Sequence, residues 1–454
     1  MSVKNRIKRL STTHWILLSF LMAILVGSLL LSLPISTQTG SSVSYVDALF
    51  TATTATCVTG LVTLPTVTTW SIFGQIVILI LIQIGGLGII TVLSGIAVAI
   101  NRKMKLKDSR LVSDAFNISS LEGISNFVRR VLIGTLIVEG VGALLYMTVF
   151  VPQFGLKGIW ISIFTSVSAF CNAGIDIIAE NSLCSYATNP IINIVTALLI
   201  ILGGLGYIVW WDVLRVIKDF KIQKFKCFKR LTLHSKIVLS VSAILIFGGA
   251  ILIFVFEYSN PQTIGNMSLL DKIQVSLFQS VTTRTAGFAT IPQENLTDTS
   301  AIISLLLMFR GGSPVGTAGG VKTVTVAVLI FTTYALITNK NEVDVFNRSL
   351  SKQIVRKAVA VTVMSFSIMF ISTVLLSAVT NASVLDILYE TVSATATVGL
   401  TRNLTPFLNL WGKLIIVFTM YLGRIGPISL AIAFAYSKES SNGIKNPTEE
   451  ISVG

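Results

Sequence analysis

A segment rich in Ser, Thr and Ala that ends in glycine occurs four times in this 454-residue chain. The copies read TATTATCVTGL, SVSAFCNAGI, SVTTRTAGF and TVSATATVGL, and their glycines are Gly60, Gly174, Gly287 and Gly399. Successive glycines lie 114, 113 and 112 residues apart, so one period covers nearly the whole chain. Such a repeat constrains the fold more than any local signal, because each copy must form an equivalent unit.

The composition is that of a membrane protein. Hydrophobic residues make up 53% of the chain and charged residues only 12%, whereas soluble domains carry about 25% charged residues. Several apolar runs exceed the ~18 residues that indicate a membrane-spanning helix. The first run, 15–33, is long enough to span and has no small-residue cleavage site, so we interpret it as a helix and not as a signal peptide.

The net charge of +14 is concentrated between the predicted repeats. Of the 34 Lys and Arg residues, 26 lie in the two terminal tails and in segments 102–130, 215–236 and 339–357. This positive-inside bias predicts a multi-pass protein of the plasma membrane with both termini in the cytoplasm. We attribute the basic charge to topology and to attraction for anionic lipids, and not to binding of nucleic acid.

Each repeat divides into two long apolar segments with a shorter helical segment between them. The first spanning helices (M1) are predicted at 14–34, 129–152, 236–258 and 355–379. Half-length helices are predicted at 46–58, 158–172, 271–284 and 384–397. The second spanning helices (M2) are predicted at 70–100, 190–217, 299–338 and 411–437. With the linkers included, the repeats occupy 1–101, 102–217, 218–338 and 339–454.

These lengths predict an all-α polytopic membrane protein. The half-length helices have ~11–15 residues and extend ~16–22 Å, so they cannot cross a hydrocarbon core of ~30 Å. Two full spans per repeat keep all four repeats parallel, which agrees with basic linkers that fall between repeats. The predicted fold has eight spanning helices and four re-entrant loops around one central pore.

Non-helical backbone at membrane depth is tolerated only where it is buried in protein or lines a wet cavity. Four loops around one axis could turn their carbonyls inward, where a cation replaces water, and glycine allows the necessary φ values. The half-helices would also point their negative dipole ends at this axis. The alternative is a set of glycine-terminated interfacial helices, which four copies in register make less favourable.

These four units resemble the Trk/Ktr/HKT superfamily of potassium transporters, most closely the KtrB type of membrane subunit. In that superfamily each unit carries one filter glycine, and TATVGL in the fourth copy is nearest to the TVGYG of potassium channels. The resemblance covers nearly the whole chain. It implies a K⁺ selectivity filter made of Val58, Thr59, Gly60, Asn172, Ala173, Gly174, Thr285, Ala286, Gly287, Thr397, Val398 and Gly399.

Two positions of this filter carry further information. Serine in the first repeat of HKT relatives goes with sodium preference, so the resemblance implies potassium preference for a chain with Gly60. Asn172 differs from the Val or Thr at the matching position of the other copies. We therefore expect the second repeat to contribute differently to the filter.

The second helices carry a glycine-rich mark about 24–29 residues after each filter glycine. The marks are QIGGLGI at Gln83–Ile89, ILGGLGY at Ile201–Tyr207, MFRGGSPVG at Met308–Gly316 and YLGRIGPI at Tyr421–Ile428. For the first two we predict close packing of continuous helices. The third is too rich in glycine and proline for a continuous helix, so it predicts an unwound loop below the filter.

By resemblance this loop is an intramembrane gate. It comprises Gly311, Gly312, Ser313, Pro314, Gly316, Thr317, Gly319 and Gly320, with Arg424 of the fourth M2 beside it. A guanidinium at membrane depth rarely faces lipid, so we expect Arg424 to repel K⁺ and to hydrogen-bond loop or filter backbone. A structural tie between helices is the alternative for this residue.

Other ionisable residues have less specific predictions. Arg284 is interpreted as a brace of the filter, Lys322 as a partner of the loop, and Glu139 as a buried group whose partner the sequence does not reveal. A set of acids near the filter loops predicts a negative outer vestibule that concentrates cations, or simply a solvated rim: Asp47, Asp176, Glu180, Asp271, Glu294, Asp298, Asp386 and Glu390.

The predicted function is K⁺ translocation through one single-file pore per chain. No phosphate-binding loop, acid–base pair or metal cluster is evident, so we predict neither an enzyme nor a bound cofactor, and K⁺ and Na⁺ are the only ions expected. The resemblance implies a homodimer controlled by a cytosolic, nucleotide-binding ring of the KtrA type. It also raises stimulation by Na⁺, which no residue of the sequence shows.

Two other classes remain as alternatives. An alternating-access secondary cation carrier would use the broken third M2, although it predicts inverted repeats in place of parallel ones. A structural or receptor membrane protein would leave the four matching loops unexplained.

Overall fold

A computed structural model describes residues 12–38, 43–89, 91–92, 94, 124–218 and 229–426. Both predicted basic tails and much of the first two basic linkers lie outside these residues. Within them the helices are α1 Thr12–Leu31, α2 Tyr45–Cys57, α3 Ile72–Leu87, α4 Ile124–Phe154, α5 Lys157–Cys171, α6 Pro190–Leu205, α7 Tyr207–Lys218, α8 Leu233–Glu257, α9 Leu269–Thr282, α10 Asp298–Phe309, α11 Thr323–Ile337, α12 Lys352–Val379, α13 Val384–Ala396 and α14 Leu410–Ile425, apart from single turns.

Four of the described helices, α1, α4, α8 and α12, are long and apolar enough to cross a membrane. Their outer faces expose large aliphatic side chains; on α4, Leu136 and Leu144 are 66% and 65% exposed. Such surfaces would aggregate in water but are at no disadvantage against lipid chains. The chain is therefore a predominantly helical membrane protein.

A short helix of 13–15 residues follows each long helix and packs along it: α2 on α1, α5 on α4, α9 on α8 and α13 on α12. Three of the four begin with a capping box. The hydroxyls of Ser44, Ser268 and Ser383 accept the N–H of the residue three positions later and donate to its carboxylate: Asp47, Asp271 and Asp386. This signal explains why the starts of these helices lie close to their predicted positions.

The helices that follow are interrupted, which corrects the prediction of continuous M2 spans. At Gly206 the chain takes a φ of +86°, and α7 leaves α6 at an angle of 101°, so 190–217 is not one helix. Gly88 and Gly426 take nearly the same conformation, with φ of +81° and +86°, where α3 and α14 end. Positive φ is accessible to glycine without strain. The glycine-rich marks therefore interrupt these helices in addition to allowing close packing against their neighbours.

The units close into a ring through contacts between neighbours. The second helix of the first unit, α3, packs on α5 of the second unit, and α6 of the second unit packs on α9 of the third. In the same way α10 of the third unit packs on α13 of the fourth, and α14 of the fourth unit packs on α2 of the first. Each second helix therefore contacts the short helix of the next unit. The C-terminal halves of the short helices and the loops that follow them lie at the centre of the bundle, where almost all their residues are buried.

The only strands in the described residues form a two-residue hairpin between α11 and α12. Asp344–Val345 (β1) pairs antiparallel with Arg348–Ser349 (β2). Val345 is buried against Ile237 of α8 and Ala327 of α11, which anchors the connection.

Candidate functional site

The four repeated glycines meet at the centre of the ring. All four have positive φ, between +66° and +98°. A Cβ placed on each would lie 2.7 Å or less from a carbonyl oxygen of the following unit: Gly60 beside Ala173, Gly174 beside Ala286, Gly287 beside Val398, and Gly399 beside Thr59. The contacts run from unit one through four and back to one, so the loops enclose a common axis.

A second left-handed residue lies two positions before each glycine. Val58, Asn172, Thr285 and Thr397 have φ of +55°, +60°, +70° and +52°. Such a conformation costs a non-glycine residue about 1–3 kcal/mol and persists only where the surroundings impose it. The backbone of Asn172 thus follows the same path as its counterparts, although we expected this position to differ. Its side-chain amide is oriented so that the nitrogen donates to the carbonyls of Ala169 and Ile200.

Hydroxyl groups of the short helices hold these loops in two ways. In units one and four the hydroxyl accepts from the glycine N–H, from Gly60 to Thr54 at 2.9 Å and from Gly399 to Ser393 at 3.0 Å. In units two and three it donates to the carbonyl after the glycine, from Ser168 to Ile175 at 2.5 Å and from Thr282 to Phe288 at 2.6 Å. The loops that follow the four short helices, one quarter of the ring each, therefore share a backbone shape but not a hydrogen-bond pattern.

The third quarter differs from the others in where its short helix ends. In the other units the short helix ends three residues before the glycine, whereas α9 ends at Thr282, five residues before it. Arg284 lies in the added turn, is buried, and donates to the Ser242 hydroxyl of α8 at 3.1 Å. Its guanidinium therefore reaches back to the long helix, as a brace would.

Three buried hydroxyls of these loops, those of Thr59, Thr285 and Thr397, accept and donate no hydrogen bond within the described residues. Buried hydroxyls usually find a partner, so each of these has oxygen lone pairs available to another species.

Residues 310–322 form the non-helical segment between α10 and α11, and all the predicted gate glycines lie in it. The break between α6 and α7 holds this segment. Ser313 and Thr317 donate their N–H groups to the carbonyls of Gly204 at 2.8 Å and Gly203 at 3.1 Å, and the Tyr207 N–H donates to Val315 at 3.1 Å. Backbone groups that the two interruptions leave unpaired thus satisfy one another.

The loop also contacts the inner ends of two short helices. The Thr317 hydroxyl donates to the Phe170 carbonyl of α5 at 3.1 Å. Gly319 packs so closely on Ala396 and Thr397 that a Cβ there would collide with the Thr397 hydroxyl. The loop therefore lies against the second and fourth quarters at once.

Arg424 joins this loop to the first unit. Its guanidinium donates to the Thr317 carbonyl at 2.6 Å and to the Gly85 carbonyl of α3. Lys322 donates to the Ala318 carbonyl at 2.6 Å, within the loop. A cavity of about 560 Å³ adjoins these groups, lined among others by Lys322, Arg424 and Thr395.

Glu139 has a partner that sequence patterns did not reveal. Its carboxylate accepts from the Gln83 side chain of α3 at 3.3 Å, and the Cys171 thiol lies 3.8 Å away. Cys171 directly precedes Asn172, so a buried polar cluster links α3, α4 and α5 behind the second loop. No local signal marks this cluster, because its members lie 32 to 88 residues apart.

The predicted acidic vestibule is only partly supported. Asp47 and Asp386 belong to capping boxes and also pair with Lys413 at 2.6 Å and Arg402 at 2.8 Å, so their charges are compensated. Glu390 is fully buried and cannot belong to a solvated rim. Burial would raise the pKa of Asp47, but hydrogen bonds from Lys413 and Ser44 hold it below its ordinary value, so the carboxylate stays ionised at neutral pH.

Comparisons with known proteins agree with this architecture. The sequence profile described as TrkH, cation transport protein, matches residues 12–445. The chain is 39% identical to Ktr system potassium uptake protein B of Bacillus subtilis strain 168, over 96% of this chain and 95% of that protein. It is 36% identical to potassium/sodium uptake protein NtpJ of Enterococcus hirae, over 100% and 99% of the two chains.

The fold is similar to the crystal structure of the potassium transporter TrkH from Vibrio parahaemolyticus. The TM-score is 0.71 at 17% identity, over 92% of this chain and 85% of that one. A bundle of apolar helices around four converging loops defines a membrane protein of the ion-transport class. The chain belongs to the TrkH family of cation transport proteins, which confirms the resemblance inferred from the four repeats.

Proposed function

We propose that this chain is the membrane-translocating subunit of a potassium uptake system. The observation that carries the proposal is the cyclic contact of the four glycines with carbonyls of the next unit, because only a closed ring surrounds a single-file path. The names of the relatives, which refer to uptake of potassium or of potassium and sodium, support K⁺ as the transported ion.

In this mechanism the carbonyls of the four loops replace the water around a dehydrated K⁺ ion. The four units then correspond to four repeats, each with a first span, a re-entrant short helix and an interrupted second span. Positive φ at the glycines keeps side chains out of the path.

The loop 310–322 and Arg424 form the gate of this path. Support comes from the position of the loop against the inner ends of α5 and α13 and from its hydrogen bond to the guanidinium. A fixed positive charge below the filter raises the energy of a cation there, since no carboxylate offsets it among its hydrogen-bond partners. Conduction requires the loop and Arg424 to move away from the axis.

Regulation belongs to other components in this proposal. A cytosolic nucleotide-binding ring acts on a homodimer of this chain through the basic linkers, and anionic lipids bind the same charges. Stimulation by Na⁺ is part of the same proposal and would act on the assembled system.

Substitution of the glycines tests the filter. Gly60→Ser and Gly399→Ser should abolish Rb⁺ uptake into potassium-transport-deficient cells, or lower the K⁺ over Na⁺ preference by about tenfold or more, because each Cβ enters a neighbouring carbonyl. Gly248→Ser is the matched control, since a Cβ at this position meets nothing within 4 Å. If both filter variants are expressed and transport like the control, the filter assignment is wrong.

A second candidate is an alternating-access cation carrier, which the 101° bend between α6 and α7 favours because carriers bind ions at interrupted helices. A carrier shows trans-stimulation, in which internal K⁺ accelerates uptake of external Rb⁺ into proteoliposomes. A gated pore shows none at zero potential, so this measurement separates the two mechanisms.

A further inference from the structure

A fully buried carboxylate lies behind the fourth loop and has no part in the mechanism above. Glu390 belongs to α13, nine residues before Gly399, and has 0% exposure. Burial of a carboxyl group is costly unless hydrogen bonds satisfy it, so its presence beside the loop requires a function or a structural reason.

Both carboxylate oxygens of Glu390 are satisfied by the chain segment that leaves the filter. The Thr401 hydroxyl donates to Oε2 at 2.6 Å, and the Thr405 hydroxyl donates to Oε1. Thr401 in turn accepts the N–H groups of Leu404 at 3.1 Å and of Thr405 at 3.4 Å. A hydroxyl has one proton and two lone pairs, so Thr401 has no remaining capacity.

The same segment has a second attachment to α13, one turn before Glu390. Arg402 donates to Asp386 at 2.8 Å and to the Gln293 carbonyl of the third unit at 3.3 Å. Thr401 is the second residue after Gly399. The segment after the fourth loop is thus tied to two carboxylates of α13 that lie one turn apart, and through Arg402 to the third unit.

This arrangement is particular to the fourth unit. The residues nine positions before the other three glycines are Thr51, Thr165 and Phe278, and none carries a charge. Four-fold symmetry therefore does not explain Glu390. A rigid and electrically distinct fourth quarter is what the carboxylate adds.

We propose that Glu390 is a positioning residue for ion selectivity: acting through Thr401, it holds the fourth filter loop at the spacing that favours K⁺ over Na⁺. The inference rests on the proposed function. Glu390 touches no transported ion in this role, and it acts by preventing the loop from contracting around a smaller cation.

Glu390→Gln tests the inference with little change in volume. Its amide offers one acceptor oxygen in place of two and carries no charge, so the segment after the loop loses at least one of its two charge-assisted hydrogen bonds. We expect the K⁺ over Na⁺ preference of uptake, measured as Na⁺ inhibition of Rb⁺ uptake, to fall by about tenfold. Thr401→Val should have a similar effect, and the double variant should lose no more than either single variant, because both act on one contact.

Glu257→Gln is the matched control for loss of a buried carboxylate. Glu257 is also fully buried and accepts from Thr297 and Thr263 hydroxyls at 2.7 and 2.6 Å, but it lies at the end of α8, away from the loops. It should lower thermal stability to a similar extent and leave the ion preference unchanged. Equal loss of preference in both variants would reduce Glu390 to a structural role.

Two further outcomes would overturn the inference: a folded Glu390→Gln protein with wild-type preference, or an additive double variant. The failure of the proposed function looks different, because Gly399→Ser would then also leave uptake and preference unchanged. If Gly399→Ser alters preference and Glu390→Gln does not, only the role of Glu390 is refuted.

Discussion

At the scale of single residues, three glycines of the second helices act by close contact. Gly85, Gly203 and Gly423 each press against a carbonyl at the same position of a short helix, four residues before the repeated glycine: Thr56, Phe170 and Thr395. Glycine at these sites permits backbone contact that any Cβ would prevent. The glycine-rich marks thus combine the predicted close packing with the interruption that follows two or three residues later.

Gly203→Ala should therefore destabilise the protein by about 1–3 kcal/mol, because the new methyl group collides with the Phe170 carbonyl and α6 must shift. Gly140→Ala is the control. This glycine lies inside α4, where a Cβ meets nothing within 4 Å, and the change should stabilise by about 0.5–1 kcal/mol. Thermal unfolding of the purified proteins in detergent measures both. Equal shifts of the unfolding temperature in the two variants would contradict the close contact between Gly203 and the Phe170 carbonyl.

At the scale of elements, the interrupted helices form one connected unit. The break after α6, the loop 310–322 and the end of α14 exchange backbone and guanidinium hydrogen bonds, so these interruptions satisfy part of one another's backbone. Movement of the loop would have to break these hydrogen bonds, as the proposed gate requires.

Removal of residues 315–318 should raise ion flux, because Arg424 loses the Thr317 carbonyl and the loop loses its contact with α5. Loss of one charge-assisted hydrogen bond is worth about 1.5–3 kcal/mol, so an increase on the order of tenfold is expected for Rb⁺ flux into proteoliposomes. Arg424→Ala should act in the same direction. Arg215→Ala, which removes a hydrogen-bonded arginine of α7 outside the loop, should not raise flux. Unchanged flux in the folded loop variant would refute the gate assignment.

At the scale of the whole molecule, the fourth unit must return to the first for a pore to be closed. The ion pair between Lys413 of α14 and Asp47 of α2 joins residues 366 positions apart, and both side chains are mostly buried. Because the pKa of Asp47 is lowered, the stability from this pair is present at neutral pH and is lost only as the pH falls through that lowered value.

Lys413→Ala should therefore destabilise the protein by about 3 kcal/mol and reduce uptake, since it leaves a buried carboxylate unpaired at the ring closure. The Asp47→Asn, Lys413→Met double variant should recover most of the stability. Arg215→Ala removes a pair with Asp212 in which the arginine is 61% exposed, and it should cost less than about 1 kcal/mol. Similar unfolding temperatures for Lys413→Ala and Arg215→Ala would refute a role in closure.

The sequence by itself determined the features that depend on neighbouring residues. The repeat period placed the four glycines. The starts of three short helices were predicted within two residues of their positions, where local Ser–Asp hydrogen bonds cap them in the structure. Apolar run length placed the four long helices. The helix signals arise within about 30 residues, and the repeat appears when the chain is compared with itself, so one sequence suffices to detect them.

Tertiary structure decided the features that join distant residues. The order of units around the axis, the partners of Glu139 and Glu390, and the hold of Arg424 on the loop depend on contacts between units, and no local pattern encodes them. The interruptions at Gly88, Gly206 and Gly426 belong to the same group. A glycine inside an apolar run is compatible with a continuous helix, and a polar partner for its freed backbone, as the loop supplies at Gly206, is what makes the break favourable.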